Sequence, residues 1–277
     1  MLNVLPGGLL LLVLTGCGDF KLDSTLDSAV QKLFSPRRTP QQEMILAVSS
    51  PDADLRREAV ARMAKSKRFN EDWAIKGFIA IACLDSDAQT RCVAIRALTR
   101  TSDPRAAETV LKILNYADHK PDEVWPPVDL VRWDATDSLA TLSEQGVVPE
   151  ALREEAHKTL LDRLRLDTDR NARVAAARGL GYYADAESVE ALIAALSDDD
   201  FAVVHQCETS LVLLTGCTHG GDILAWEEWL AANRDNLFAH AGEIPESRRL
   251  PYSNRWEKAS YETKDLIRWL WPGTKEE

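Results

Sequence analysis

Hydrophobic positions in this chain recur at helical spacing, in paired segments. In Asp169-Arg-Asn-Ala-Arg-Val-Ala-Ala-Ala-Arg-Gly-Leu-Gly, the residues Ala172, Ala176, Gly179 and Leu180 fall at i, i+4, i+7 and i+8, one stripe of an amphipathic helix. Asp169 stands where a cap would accept the first free N–H groups. Small residues in the stripe let another helix approach closely. After a short break over residues 182–185, Val189, Leu192, Ile193 and Leu196 form the stripe of a second helix. Neither segment can bury its face alone, so the pair requires neighbours.

The chain supplies them. Aligned on an arginine and the alanine three residues later, Arg56/Ala59, Arg91/Ala94, Arg132/Ala135 and Arg173/Ala176 mark four copies. Val204/Cys207 marks a fifth that has lost both residue types. Successive alanines lie 35, 41 and 41 residues apart, and Cys207 follows 31 later. An Asp precedes the Arg or Val by four residues at Asp52, Asp87, Asp169 and Asp200, and by three at Asp129. Such a period is the signature of stacked helical hairpins. The expected hairpins are 40–48 with 51–64, 71–84 with 86–98, 104–116 with a helix carrying Trp133, 149–166 with 169–182, and 186–196 with 198–214. A half-repeat at 223–232, carrying Trp226 and Trp229, closes the stack.

The pattern Asp-x-x-x-Arg-x-x-Ala-x-x-x-Leu, preceded by a helix such as Val189-Glu-Ala-Leu-Ile-Ala-Ala-Leu196, resembles HEAT repeats of the short bacterial type over roughly residues 40–232. The resemblance implies an all-α fold, a HEAT-like α-solenoid of about five helical hairpins. It also implies a protein-binding role, since such repeats serve scaffolds and adaptors and only a few enzymes. Residues 41–232 are then the solenoid, and 233–277 a Trp-rich C-terminal cap or extension. Within that extension, 253–270 has the pattern of an amphipathic helix carrying Trp256, Tyr261, Leu266, Ile267, Trp269 and Leu270. It either covers the last repeat or presents a docking surface.

The chain's first residues set an expected address. Residues 1–16 carry no charge and hold an apolar run from Leu9 to Leu14. That run is shorter than the ~20 residues a membrane span needs and suits the core of a secretory signal. It ends in Leu14-Thr-Gly-Cys17, which resembles a bacterial lipobox. The tetrapeptide recurs at Leu214–Cys217, so its position after an apolar run carries the inference. No Lys or Arg precedes the run, a departure from the usual signal. The resemblance implies lipidation of Cys17, a stalk over 17–40, and attachment to the periplasmic side of a bacterial membrane. Gly18 in place of Asp leans the sorting toward the outer membrane. The expected partners are the membrane, through Cys17, and another cell-envelope protein.

Charge and chemistry narrow the functions further. Removing residues 1–16 leaves the net charge at −11, which disfavours nucleic acid and offers no polybasic patch to anionic lipids. The recurrent Asp52/Arg56, Asp87/Arg91 and Asp169/Arg173, with Arg132, read as structural: a cap and an arginine one turn on, aligned by stacking into a ladder that ties neighbouring loops. His205, Cys207, Cys217 and His219 have zinc-ligand chemistry. However, His205 and Cys207 would point about 200° apart around a helix. Cys83, Cys92, Cys207 and Cys217 read as buried free thiols, although Cys83 and Cys92 flank one turn.

None of the five histidines precedes a Glu, unlike the di-iron ligands of deoxyhypusine hydroxylase-like repeat proteins. A lipid-anchored chain would also be remote from the substrates of phycobilin lyase-like ones. No cofactor or metal is expected, and no catalytic set stands out. The proline-broken segment 117–127 is the longest departure from the repeat. Its Trp125, with Trp133 on the following helix, makes a candidate binding patch for a protein or a cell-wall glycan, or else seals an inter-repeat groove.

Overall fold

The computed structural model describes residues 38–115 and 128–245, together with Lys258 and Thr263, which are helical and exposed. Cys17 with the leader and most of the stalk, the segment around Trp125, and the rest of the C-terminal amphipathic pattern lie outside the described residues.

Every described element is helical. Repeat one pairs α1 (Pro40–Ser49) with α2 (Ala53–Ala64), and repeat two pairs α3 (Asp72–Leu84) with α4 (Ala88–Thr99). Repeat three pairs α5 (Pro104–Leu114) with α6 (Asp129–Glu144), and repeat four pairs α7 (Glu150–Leu166) with α8 (Arg170–Leu180). Repeat five pairs α9 (Ala186–Ala194), continued by a 3₁₀ turn at Ala195–Ser197, with α10 (Phe201–Thr215). A last helix, α11 (Ile223–Asn233), follows. First helices pack on first helices and second on second, giving the two layers of an all-α solenoid.

Aspartates decide where the helices begin. Asp52, Asp87, Asp103, Asp169, Asp185, Asp200 and Asp222 each accept a backbone N–H from the first turn that follows. Each cap is worth about 1 kcal/mol. The starts expected at Pro51 and Ser86 therefore move inward to Ala53 and Ala88, because each Asp occupies the cap itself.

The repeat register is the core register. Ala59, Ala94, Ala135, Ala176 and Cys207 are fully buried. Gly179 shows why the stripe must be small. A Cβ built there would lie 2.9 Å from both δ-carbons of Leu160 on α7 and 3.1 Å from the Cβ of Ala140 on α6. Three helices thus meet closely at one point, where any side chain would force Leu160 to shift.

The C-terminal end of the stack closes on an aromatic. Trp226 is fully buried, donates from Nε1 to the Gly220 carbonyl at 3.0 Å, and meets Trp229 edge-on at 5.7 Å. The chain then returns to α10. Gly216 ends that helix at φ +71°, and a side chain there would collide with the carbonyl of His240. Nearby, the Gly242 N–H donates to Leu213 O at 2.8 Å.

Candidate functional site

The most repeated side-chain arrangement lies at the turns joining first and second helices. Asp85, Asp167 and Asp198 stand two residues before the capping Asp87, Asp169 and Asp200. Each accepts the N–H of its neighbouring cap residue, at 2.8, 3.0 and 2.9 Å respectively. Each also receives two arms of an arginine from the preceding repeat. Arg56 reaches Asp85 at 2.7 and 2.8 Å, Arg132 reaches Asp167 at 3.2 and 3.0 Å, and Arg173 reaches Asp198 at 2.7 and 3.0 Å. Such bidentate pairs fix orientation as well as supplying energy.

The arginines therefore tie consecutive turns through an acid that the Asp-to-Arg spacing did not single out. The capping carboxylates of Asp52 and Asp169 serve first-turn N–H groups. An arginine one turn into a helix projects beyond its own cap to the next turn. The signal for these acids was present as Asp-x-Asp at 85/87, 167/169 and 198/200.

Burial and pairing set the charge states. The hydrogen bond from Arg173 holds the Asp198 carboxyl below its ordinary range, against the effect of burial. At Asp167, burial pushes the carboxyl up. Hydrogen bonds from Arg132 and the Asp169 N–H, with the charges of Arg132 and Arg163, outweigh it and hold the group ionised. Arg163 adds an ion pair at 3.2 Å.

Arg91 departs from the ladder. Its side chain is buried and Nε donates to the Ala82 carbonyl at 2.9 Å; desolvation lowers its pKa. The sequence entering α6 is Pro126-Pro127-Val128, with no Asp-x-Asp. Here a tie runs along the second helices instead. Arg96 on α4 grips Asp134 on α6 through two 2.9 Å hydrogen bonds. From the other side, Arg178 on α8 reaches Asp137 and Glu144 on α6, each at 2.9 Å. Trp133, half-buried, sits on α6 beside Asp134 in sequence. The second helices thus present a surface in which α6 carboxylates are clasped by arginines from both neighbours.

Other candidate chemistry is structural. His205 stacks on Phe201 at the exposed start of α10, whereas Cys207 is fully buried. The two do not share a face. The four cysteines among the described residues form no disulfide; Cys83, Cys92 and Cys207 are buried and Cys217 is only half-buried. Burial pushes the Cys207 thiol up to about 12, so it packs as a small apolar group.

His157 and Ser188 make a 2.7 Å hydrogen bond between α7 and α9. Ser188 is fully buried, and His157 stacks on Tyr183 at 5.0 Å, so the pair is a buttress between repeats. A cleft of ≈ 410 Å³ lies beside the last rung, with Leu166, Ala191 and Ala195 on its walls. Its Asp167, Arg173 and Asp198 are committed to the ladder.

Residues 157–215 match the family described as HEAT repeats. No curated protein matches the chain significantly. Among solved structures, a designed armadillo repeat protein in complex with a (KR)4 peptide is similar at 14% identity over 83% of this chain and 99% of that one, with a TM-score of 0.48. An engineered protein from the Northeast Structural Genomics Consortium is similar at 18% identity over 64% and 79%, with a TM-score of 0.46. The two layers of paired helices make this chain an all-α solenoid, and residues 157–215 within it resemble HEAT repeats.

Proposed function

We propose that the protein is a non-catalytic scaffold or adaptor. It binds another cell-envelope protein through the exposed face of its second helices and is held by lipidated Cys17 on the periplasmic side of a bacterial membrane. One observation carries the binding role: part-buried Arg–Asp rungs at three junctions, and Arg96–Asp134 between repeats two and three, hold successive repeats in fixed register. A surface already rigid requires little ordering when a partner lands on it. Arg96, Trp133 and Arg178 mark its centre, facing an extended or helical segment of the partner.

The tether rests on the lipobox resemblance at Leu14–Cys17. No helix among the described residues is long and apolar enough to cross a membrane. The 22 residues of 18–39 span at most about 75 Å when extended. Tethering would raise the effective concentration of a partner held on the same membrane.

The test uses full-length protein and its Cys17→Ser variant in cells, fractionated and weighed intact. A photo-crosslinker is placed at position 133 or, on the first-helix layer, at position 158. The expected result is a lipid mass on Cys17, loss of membrane attachment in the variant, and one discrete adduct from position 133 alone. Soluble wild type beginning at Met1 would sink the tether. Equal adducts from both positions would sink the assignment of the face.

A further inference from the structure

The net charge of −11 hides a local reversal at one edge of the first repeats. Arg62 near the end of α2 pairs with Glu43 in the first turn of α1 at 3.0 Å, which places the start of α1 beside the α2–α3 turn. At that turn Lys65 and Lys67 are exposed, and their side chains enter no ion pair or hydrogen bond. Arg100, also exposed, reaches across from the end of α4 to the Ala64 carbonyl at 3.2 Å. Its guanidinium lies 5.4 Å from the centre of the Phe69 ring.

The carboxylates at this edge are already engaged. Glu43 and Glu58 share Arg62, Glu71 takes Arg68 and the Trp73 indole N–H, Asp72 takes Lys76 and Arg105, and Asp103 takes Arg105. Among the described residues Lys65, Lys67 and Arg100 have no carboxylate partner. Because Arg62 and Arg105 each serve two acids while Asp72 takes two cations, the edge keeps a surplus of two positive charges. Two half-buried aromatics accompany them, Phe69 and Trp73, the latter with Arg68 5.6 Å from its ring centre.

We propose that this edge is a contact surface for anionic lipid headgroups. Cations in surplus beside aromatic rings match the headgroup level of a bilayer, where phosphates and apolar carbon meet. The solenoid begins at Pro40 on this same edge. The inference rests on the membrane tether proposed above and deepens it: the lipid holds the protein at the membrane, and the patch orients it, with the first repeats facing the headgroups. The net charge of −11 conceals Lys65, Lys67 and Arg68, and stacking by one repeat adds Arg100, 35 residues after Lys65, to them.

The test is co-sedimentation of the full chain carrying Cys17→Ser, purified without lipid, on vesicles of phosphatidylcholine alone or with phosphatidylglycerol. An apolar leader contributes equally to both. Each cation near an anionic surface is worth about fivefold in partitioning. Lys65→Gln/Lys67→Gln is therefore expected to lose about 25-fold of the phosphatidylglycerol-dependent binding, and adding Arg100→Gln about 100-fold. Wild-type binding should weaken as salt rises. Lys158→Gln on α7 should change nothing. Circular dichroism verifies folding, and the double variant leaves the Arg100 hydrogen bond intact.

Equal binding to the two vesicle types, or unchanged binding of a folded double variant, would overturn the proposal. So would displacement by inorganic phosphate or polyglutamate at matched charge, which would make the site a general anion patch. The mass of Cys17 in cells is a separate readout, so failure of the tether and failure of the patch are distinguishable.

Discussion

Two kinds of repeat junction coexist in this solenoid. Between repeats one and two, three and four, and four and five, an arginine is clamped at the turn by an aspartate with both side chains largely dry: 11% and 6% exposed for Arg56–Asp85, 16% and 0% for Arg132–Asp167, 19% and 15% for Arg173–Asp198. Between repeats two and three, Pro126-Pro127-Val128 replaces Asp-x-Asp, Arg91 turns inward, and the tie moves to Arg96–Asp134 on the second-helix face. There the arginine is 59% exposed. The comparison teaches that the turn decides where the tie is made. A turn with an acid locks the edge of the stack, with or without a second-helix tie such as Arg178–Asp137 beside it; without that acid the arginine tie lies on the face offered to partners alone.

The largest expected effect follows from Asp167. Arg132→Ala leaves that ionised, buried carboxylate with only Arg163 and the Asp169 N–H, and should cost about 3–5 kcal/mol in urea unfolding. A loss under about 1 kcal/mol would mean that the rung carries little of the stack's stability. Arg56→Ala and Arg173→Ala, at slightly wetter rungs, should each cost about 1.5–3 kcal/mol. A double-mutant cycle on Arg96 and Asp134 should give a coupling of about 1 kcal/mol, below that of Arg173 and Asp198. A larger coupling at Arg96–Asp134 would abolish the distinction between the junctions.

Acidity separates the ties in another way. Asp167 and Asp198 have lowered folded pKa values. Their contribution is therefore present above the unfolded carboxylate value of about 3.9 and is lost as pH falls through the folded values. Arg173→Ala should remove part of that acid limb.

His157 acts at higher pH and more weakly. Burial lowers its pKa, so the folded protein keeps it neutral while the unfolded chain takes up a proton below about pH 6.5. Stability should fall as pH drops from there toward the folded pKa, and His157→Gln should flatten that step in a series of thermal melts.

Legibility in the sequence divided along similar lines. The helices and the buried register were readable because Ala59, Ala94, Ala135, Ala176 and Cys207 recur at helical phase in five copies. The rung acids escaped that reading because Asp85, Asp167 and Asp198 lie outside the helices, where a 3.6-residue period has nothing to say. The basic edge escaped it because net charge sums over the chain, whereas a surface sums over neighbours.

The sequence by itself determined the repeated helical hairpin, its capping aspartates and its small-residue core, since these follow from local hydrogen bonding and from the burial of a periodic apolar face. Only the tertiary structure decided which acid each arginine grips and which cations share an edge. Those choices join residues 25 to 38 positions apart, and nothing but the rise and register of stacked repeats brings such residues within hydrogen-bond range.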